Sequence, residues 1–293
     1  MALVRIARLT QPDLAVTARK VGRAQLLTIP YSHYCEAAKF ALDMSGVVAF
    51  DEVRYPPFAH LLPTLATRLP AGAKRVAVDS SSVAGSATSV PLLALADGTV
   101  LRDTWEILAY VSAQRPELGA VRPSFRTLLD QEFGPLSRQS AYGLLLKPQH
   151  YAAWSRLITH DTGLLWRVFW RLAGGRLTKM MSGHFHTADE KKVAECEVSL
   201  LASFDEVWAA VQQLTPPGAE FIGGATPGLA DIAVASLVAA KTLPGEYCGG
   251  SFAPHFNSFI DADDGAKARM MASRDTPLGR HCMRVYATAR PLH

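Results

Sequence analysis

Tyr31, Ser32 and Cys35 place a phenol, a hydroxyl and a thiol at the predicted start of a helix. The apolar run before them, Gln25–Ile29, ends at a proline and predicts a buried strand. From Ser32 onward the apolar residues have helical spacing, with Ser32 as the N-cap and Gly46 as the C-cap. A helix N-terminus presents unpaired N–H donors and a partial positive charge, so these residues could act on a bound anion.

The elements around this helix predict a small mixed sheet. Val47–Tyr55 is a second strand halted by two prolines, which completes a βαβ unit with a parallel strand pair. Further on, Asp97-Gly98 joins the apolar runs Pro91–Ala96 and Thr99–Arg102, which is a strong hairpin signal. Asp103 or Thr104 can then cap a helix that ends near residue 116. The predicted order is therefore βαβ-ββα.

In the rest of the chain the apolar pattern is either irregular or helical. Residues 63–89 have low apolar periodicity and indicate an irregular insertion. Beyond residue 122 the pattern is helical, and Thr187 with Glu190 predicts a capping box at the start of a long helix. We therefore predict an extension at residues 1–23, an α/β domain at 24–116 and an all-helical domain at 122–293.

Composition narrows the possible partners and compartments. The net charge is +4, from 30 Lys and Arg against 26 Asp and Glu, without a dense basic run, so nucleic acid is not an expected partner. No apolar stretch reaches the ~18 residues that a membrane-spanning helix needs. The four cysteines are scattered, which fits a reducing compartment. The chain is expected to be soluble and cytoplasmic, or organellar if its basic first 23 residues are a transit peptide.

The segments that join the predicted elements resemble those of the soluble glutathione transferases. Ser32 lies where that family places its thiol-activating residue, in a form similar to the serine-type classes, and Val90-Pro91 resembles the family's Val-Pro step, whose proline is cis. Asp103-Thr104 is similar to the family's acidic-Ser pair. Gly228 to Asp231 resembles the N-capping box of the helical domain, with Gly in place of Ser or Thr.

This resemblance implies a fold and a set of site residues. The fold is a thioredoxin-like N-terminal domain followed by an all-α domain. Ser32 would stabilise the glutathione thiolate, the Val90 backbone before Pro91 would pair with the cysteinyl part of glutathione, and Asp103 and Thr104 would hold the γ-glutamyl group. Glutathione is the implied co-substrate, and no metal is implied.

Two other residues could act on the thiol in place of Ser32. Tyr31 could supply a phenol, and Cys35 occupies the position of the second cysteine of a thioredoxin-like CxxC. The resemblance implies a homodimeric detoxification enzyme whose glutathione thiolate attacks a small apolar electrophile, or a related glutathione-dependent reaction. The alternative is a non-catalytic binding or assembly protein with the same fold. The sequence does not identify the electrophile.

Two further groups of residues have simpler explanations than chemistry. His184 and His186, together with His281, could be considered as metal ligands, but polar residues before a helix start account for the first two. A stripe of aromatic residues at helical spacing could wall an apolar pocket and is more often core. The stripe consists of Trp154, Trp166, Phe169 and Trp170.

Overall fold

The computed structural model describes residues 13–68, 89–250 and 252–290. The chain divides into two compact units, Met1–Glu117 and Leu118–His293. The division falls within the junction that the sequence places between residues 116 and 122.

The first unit contains a four-stranded mixed sheet. Its strands are β1 (Ala24–Thr28), β2 (Phe50–Arg54), β3 (Leu92–Ala94) and β4 (Val100–Leu101). The strand order is β2-β1-β3-β4. β1 pairs with β2 in parallel, and β3 pairs in antiparallel fashion with both β1 and β4.

In the described part of this unit, four α-helices accompany the sheet. They are α1 (Leu14–Val21), α2 (His33–Ser45), α3 (Leu61–Arg68) and α4 (Thr104–Gln114). The path from β1 through α2 to β2, then through the β3–β4 hairpin to α4, is the thioredoxin-like βαβ-ββα order. The predicted fold class of the first unit is thus confirmed.

The helix boundaries around the candidate residues agree with the predicted capping signals. Ser32 is the N-cap of α2, and Gly46 ends that helix in the left-handed conformation with φ +60°. Asp103 is the N-cap of α4. The Val90–Pro91 peptide bond is cis, as predicted.

The predicted extension at residues 1–23 is only partly separate from the folded unit. α1 lies inside it, capped by Asp13, whose Oδ1 accepts the Ala15 N–H at 2.8 Å. Leu14, Ala15 and Ala18 are buried in one cluster with strand residues such as Leu27. Residues 14–21 therefore belong to the α/β unit, while residues 1–12 of the possible transit peptide lie outside the described residues.

The predicted irregular insertion at residues 63–89 also needs correction at its beginning. Pro63 and the five residues after it are helical, as part of α3. The backbone N–H of Leu14 donates to the buried Thr67 Oγ1 at 3.0 Å, which joins α1 to α3. Packing against α1 explains a helix for which the apolar pattern alone gave little indication. Residues 69–88 lie outside the described part of the chain.

The regular elements described in the second unit are helical, which confirms the all-α prediction. A continuous segment combines α5 (Pro123–Thr127), a π-helical stretch (Leu128–Phe133) and α6 (Gly134–Leu145). The later helices are α7 (Tyr151–Thr159), α8 (Leu164–His184), α9 (Glu190–Leu214), α10 (Leu229–Thr242), α11 (Ala253–Ile260), α12 (Asp264–Asp275) and α13 (Pro277–Ala289). Within residues 13–68, 89–250 and 252–290, no helix has both the length and the hydropathy to cross a bilayer.

Asp231 fixes the turn that precedes the buried helix α10. Its carboxylate accepts three backbone N–H groups, from Ile222 at 2.9 Å, Gly223 at 2.8 Å and Gly228 at 2.9 Å. The ring nitrogen Nε2 of His281 lies 3.1 Å from Asp231 Oδ1, and both side chains are buried. His281 thus belongs to the core around Asp231.

The capping box predicted from Thr187 and Glu190 is wrong by two residues. α9 starts at Glu190 with Asp189 as its N-cap, and Asp189 Oδ1 accepts the Lys191 N–H at 3.1 Å. The Thr187 hydroxyl instead donates to Ser182 Oγ at 2.9 Å. A carboxylate directly before the helix competes successfully with a more distant hydroxyl for the free N–H groups.

Candidate active site

The strand register brings three segments of the first unit to the same end of the sheet. Leu27 of β1 pairs with Leu92 of β3, so the residues after β1 and those before β3 lie at that end. Leu93 of β3 pairs with Leu101 of β4, which places the residues after β4 there as well. Ser32 follows β1, the Val90-Pro91 pair precedes β3 and Asp103 follows β4. All three therefore lie at this end of the sheet.

A side-chain contact joins the starts of the two helices at this edge. The Thr104 hydroxyl donates to the backbone oxygen of Tyr34 at 2.9 Å, so the first turn of α4 contacts the first turn of α2. Both helices begin here, with Ser32 and Asp103 as their N-caps. Two helix N-termini in one place add their partial positive charges and free N–H donors, which favours an anionic ligand.

The two caps differ in how firmly they hold the helix start. Asp103 Oδ1 accepts the Glu106 N–H at 2.8 Å, a normal hydrogen-bond length. Ser32 Oγ accepts the Cys35 N–H at 3.5 Å, which is long for such a bond. The half-buried Ser32 hydroxyl is therefore only weakly engaged in capping its own helix.

Val90 offers backbone groups at the same edge. It is half-buried, whereas Pro91 after it is buried. Within the described residues, the Val90 N–H and C=O form no hydrogen bond with the chain. These groups could form hydrogen bonds with the extended backbone of a peptide ligand at this end of the sheet.

Thr104 is more enclosed than Asp103. The Thr104 side chain is 2% exposed, and its hydroxyl hydrogen is directed to Tyr34. Asp103 is half-buried and uses one carboxylate oxygen in its cap. The structure thus brings these two predicted residues together, with Asp103 the more accessible of the pair.

Two comparisons with known proteins gave no match. No protein-family model matches the chain. No curated protein sequence matches it either.

Solved glutathione S-transferases are similar to the chain in structure. The enzyme of Ceriporiopsis subvermispora in complex with glutathione has 15% identity and a TM-score of 0.48, over 88% of this chain and 97% of that one. Glutathione transferase F7 from Populus trichocarpa has 11% identity and a TM-score of 0.44, over 89% and 98%. The Tau class enzyme MiGSTU from mango, Mangifera indica, has 14% identity and a TM-score of 0.40, over 89% and 93%.

Burial separates Cys35 from the groups that could act on a ligand thiol. Cys35 is 2% exposed, and burial raises the pKa of its thiol to about 12. A thiol with that pKa stays protonated at neutral pH and is a poor nucleophile. Tyr31, the other alternative, is half-buried beside Ser32. Burial of its thiol therefore disfavours Cys35, whereas Ser32 is half-buried and the side-chain oxygen of Tyr31 is buried.

Arg102 and Glu106 form an ion pair at this edge that the sequence patterns did not predict. The Glu106 carboxylate accepts the Arg102 backbone N–H at 2.7 Å and its Nη2 at 2.7 Å. The hydrogen bond between the two side chains raises the pKa of the Arg102 guanidinium. Their spacing of four residues across a helix start could have revealed the pair. The ion pair holds Arg102, the residue directly before the Asp103 N-cap, in place.

The other groups considered from the sequence lie in the second unit. The described residues contain no group of three or more His, Cys, Asp or Glu that could hold a metal ion. Trp154 and Trp170 are buried, and their indole N–H groups donate to Thr178 and Ser155. Phe169 is 45% exposed. Trp166 is half-buried, so the aromatic stripe divides into two core residues and two more accessible ones.

Proposed function

We propose that this chain is a glutathione transferase in which Ser32 stabilises the glutathione thiolate during attack on an apolar electrophile. Asp103 would pair with the ammonium of the γ-glutamyl group, and Thr104 and the start of α4 would bind its carboxylate. The Val90 backbone would pair with the cysteinyl part of glutathione. Tyr31 is the alternative thiol-activating residue.

One observation carries this proposal, namely that two helix N-termini and the Val90 backbone, which has no hydrogen bond among the described residues, lie at one end of the sheet. Glutathione is a small peptide anion with carboxylates at both ends and a thiol between them. A free thiol has a pKa of ~8.5, so an enzyme must favour its ionised form. Donors at a helix start do this without a formal base.

The long capping bond of Ser32 supports a role for its hydroxyl beyond the fold. A serine that served only as a cap would be expected near 2.9 Å from its N–H donor. The Ser32 oxygen lies 3.5 Å from the Cys35 nitrogen as an acceptor, and its hydroxyl proton could be donated to a thiolate. Hydroxyl groups accept and donate at once, so both contacts can coexist.

A non-catalytic binding or assembly role is the second candidate, and Thr104 favours it. The Thr104 hydroxyl is buried and already donates to Tyr34, so part of the proposed glutathione subsite serves the fold. In that case the residues at this end of the sheet would keep the same arrangement, but the protein would catalyse no reaction. Conjugation, reduction, isomerisation and dehalogenation would all use the same glutathione half-site.

Calorimetric titration of glutathione into the purified chain tests the proposal. We expect the native chain to bind, and the double variant Asp103→Ala with Thr104→Ala to lose binding. Asp189→Ala is the matched control, because it removes an N-cap carboxylate from α9 in the other unit. Circular dichroism of each variant checks that the fold persists.

Either result of the titration is informative. Binding that only the double variant loses would support the assigned half-site and justify a screen of electrophiles. Absence of glutathione binding to the native chain would refute the transferase proposal and favour the assembly role.

A further inference from the structure

The second unit contains a cavity of about 710 Å³. Cavities that hold small molecules usually measure roughly 300–1,000 Å³. Six helices, α6 and α8 to α12, contribute to its wall, together with the segment between α6 and α7 and the residues before α9. All of its lining residues in the described chain belong to the second unit, so it is separate from the sheet edge discussed above.

Three polar side chains from three helices meet at the wall of this cavity. Lys241 Nζ donates to Glu197 Oε2 at 2.5 Å and to Ser140 Oγ at 2.9 Å. Ser140 Oγ donates in turn to Glu197 Oε1 at 2.5 Å. An ammonium has three N–H donors, and among the described residues Lys241 has these two acceptors. One donor is left for a ligand.

The charge of Lys241 is incompletely compensated. Burial lowers the pKa of this lysine, and the attraction of Glu197 only partly offsets that effect. Burial alone would raise the pKa of Glu197, but Lys241 and Ser140 lower it overall, so the carboxylate stays ionised. A second negative group beside Lys241 would stabilise the ammonium further.

Arg269 adds a second cation to the same wall. Its guanidinium forms no hydrogen bond or ion pair with another residue in the described part of the chain, although it lines the cavity from α12. The Arg269 charge also lowers the pKa of both Lys241 and Glu197, so all three groups are within electrostatic reach. A free guanidinium is suited to bidentate binding of a carboxylate.

The other ionisable groups at the cavity are paired or distant from Lys241. Lys147 donates to Asp263 at 2.7 Å and is neutralised by it. Glu190 lies seven residues before Glu197 on α9, roughly 10 Å along the helix axis. The end of the cavity near Lys241 and Arg269 therefore has a surplus of positive charge.

The remaining wall is aliphatic. Ile260, Ala266 and Met270 form a buried cluster, and Leu144 and Leu243 pack against it. All five residues line the cavity, and none of its lining residues in the described chain is aromatic. Such a wall suits a saturated hydrocarbon chain, whose burial is favourable by about 25 cal/mol per Å².

We propose that this cavity binds a medium-chain aliphatic carboxylate, whose carboxylate group contacts Lys241 Nζ and the Arg269 guanidinium and whose chain lies against the aliphatic wall. The site does not depend on glutathione binding, because it uses other residues in the other unit. It adds a second ligand class to the protein.

Decanoate, kept below its critical micelle concentration, is the probe for this site. Calorimetry is expected to show binding to the native chain, weakened about tenfold in Arg269→Gln, because a charge-assisted contact is lost. Arg284→Gln is the matched control, since Arg284 is an exposed arginine of α13 outside the cavity lining. Uncharged 1-decanol should bind more weakly than decanoate.

The outcomes separate this proposal from the one about glutathione. The Asp103→Ala, Thr104→Ala variant should bind decanoate as the native chain does, whatever its affinity for glutathione. Absence of decanoate binding to the native chain would overturn the proposal. Equal weakening in Arg269→Gln and Arg284→Gln, or no weakening in either, would also overturn it.

Discussion

At the scale of single residues, the capping bond of Ser32 is the feature with the clearest consequence for the proposed catalysis. Its oxygen accepts the Cys35 N–H at 3.5 Å, whereas the carboxylate of Asp103 holds its helix at 2.8 Å. N-cap removal usually costs about 1 kcal/mol, and the contribution falls as the bond lengthens. Substitution of Ser32 should therefore reduce activity much more than it reduces stability.

We predict that Ser32→Ala lowers the free energy of unfolding by only about 0.5 kcal/mol. Turnover of glutathione with 1-chloro-2,4-dinitrobenzene should fall about 100-fold, because a donor to the developing thiolate is removed. Urea unfolding and the absorbance of the thioether product measure the two effects. Ser45→Ala, at the other end of α2, should leave turnover intact. Unchanged turnover in Ser32→Ala would transfer the role to Tyr31.

Cysteine reactivity gives a second prediction at this scale. The four cysteines at positions 35, 196, 248 and 282 are all buried. Burial raises the pKa of both Cys35 and Cys282 to about 12, so these thiols stay protonated at neutral pH. Ellman's reagent should react slowly with the native chain and titrate all four thiols in guanidinium chloride. A fast native reaction that Cys35→Ser abolishes would restore Cys35 as a candidate.

At the scale of elements, strong local signals predicted the framework of the candidate site. Ser32 and Gly46 bracket α2 as expected, and Asp97-Gly98 forms the turn between β3 and β4. Each of these signals acts within a few residues, because caps and tight turns satisfy backbone groups of their own segment. The positions of Ser32, the Val90-Pro91 step and Asp103 along the elements could thus be read from the sequence.

Elements that depend on tertiary packing were harder to predict. α1 has only eight residues, and α3 lies in a segment without clear periodicity. Isolated helices of this length are marginal, so their stability comes from burial against the rest of the unit. A signal for α1 was nevertheless present, because Asp13 and Gly22 flank it as N-cap and C-cap.

The role of α1 can be tested by comparing its two faces. Ala18 is completely buried, whereas Val16 on the same helix is 53% exposed. We predict that Ala18→Asp lowers the free energy of unfolding by about 3 kcal/mol or more, because it buries an unpaired charge. Val16→Asp should change it by less than about 0.5 kcal/mol. Denaturant unfolding measures both, and equal effects would contradict the assignment of α1 to the folded core.

At the scale of the whole molecule, the cavity of the second unit shows which side-chain contacts local sequence patterns do not predict. Ser140 and Lys241, which hydrogen-bond to each other, are separated by 101 residues, and Glu197 comes from a third helix. Helical periodicity predicts that each helix has a buried face. It does not predict which polar residues meet, since that depends on how the helices pack.

The surface of α8 bears on the homodimer that the proposed function implies. Leu165, Phe169 and Leu172 are exposed and spaced by three or four residues, so they lie on one face of the helix. Leu164 and Val168 extend this apolar face. Contiguous apolar surface of this kind is typical of an interface with another protein chain. If the proposed function holds, a second copy of the chain is expected to cover this face.

Substitution at the most exposed position of this face tests the inference. Leu172 is 81% exposed, so Leu172→Glu places a charge in the interface with little effect on the isolated fold. Light scattering after size exclusion should give twice the chain mass of 31.7 kDa for the native protein and the single chain mass for this variant. Leu62→Glu is the matched control, since Leu62 is 75% exposed on α3 in the first unit. A native protein of single mass, or a Leu172→Glu variant that remains dimeric, would refute the assigned interface.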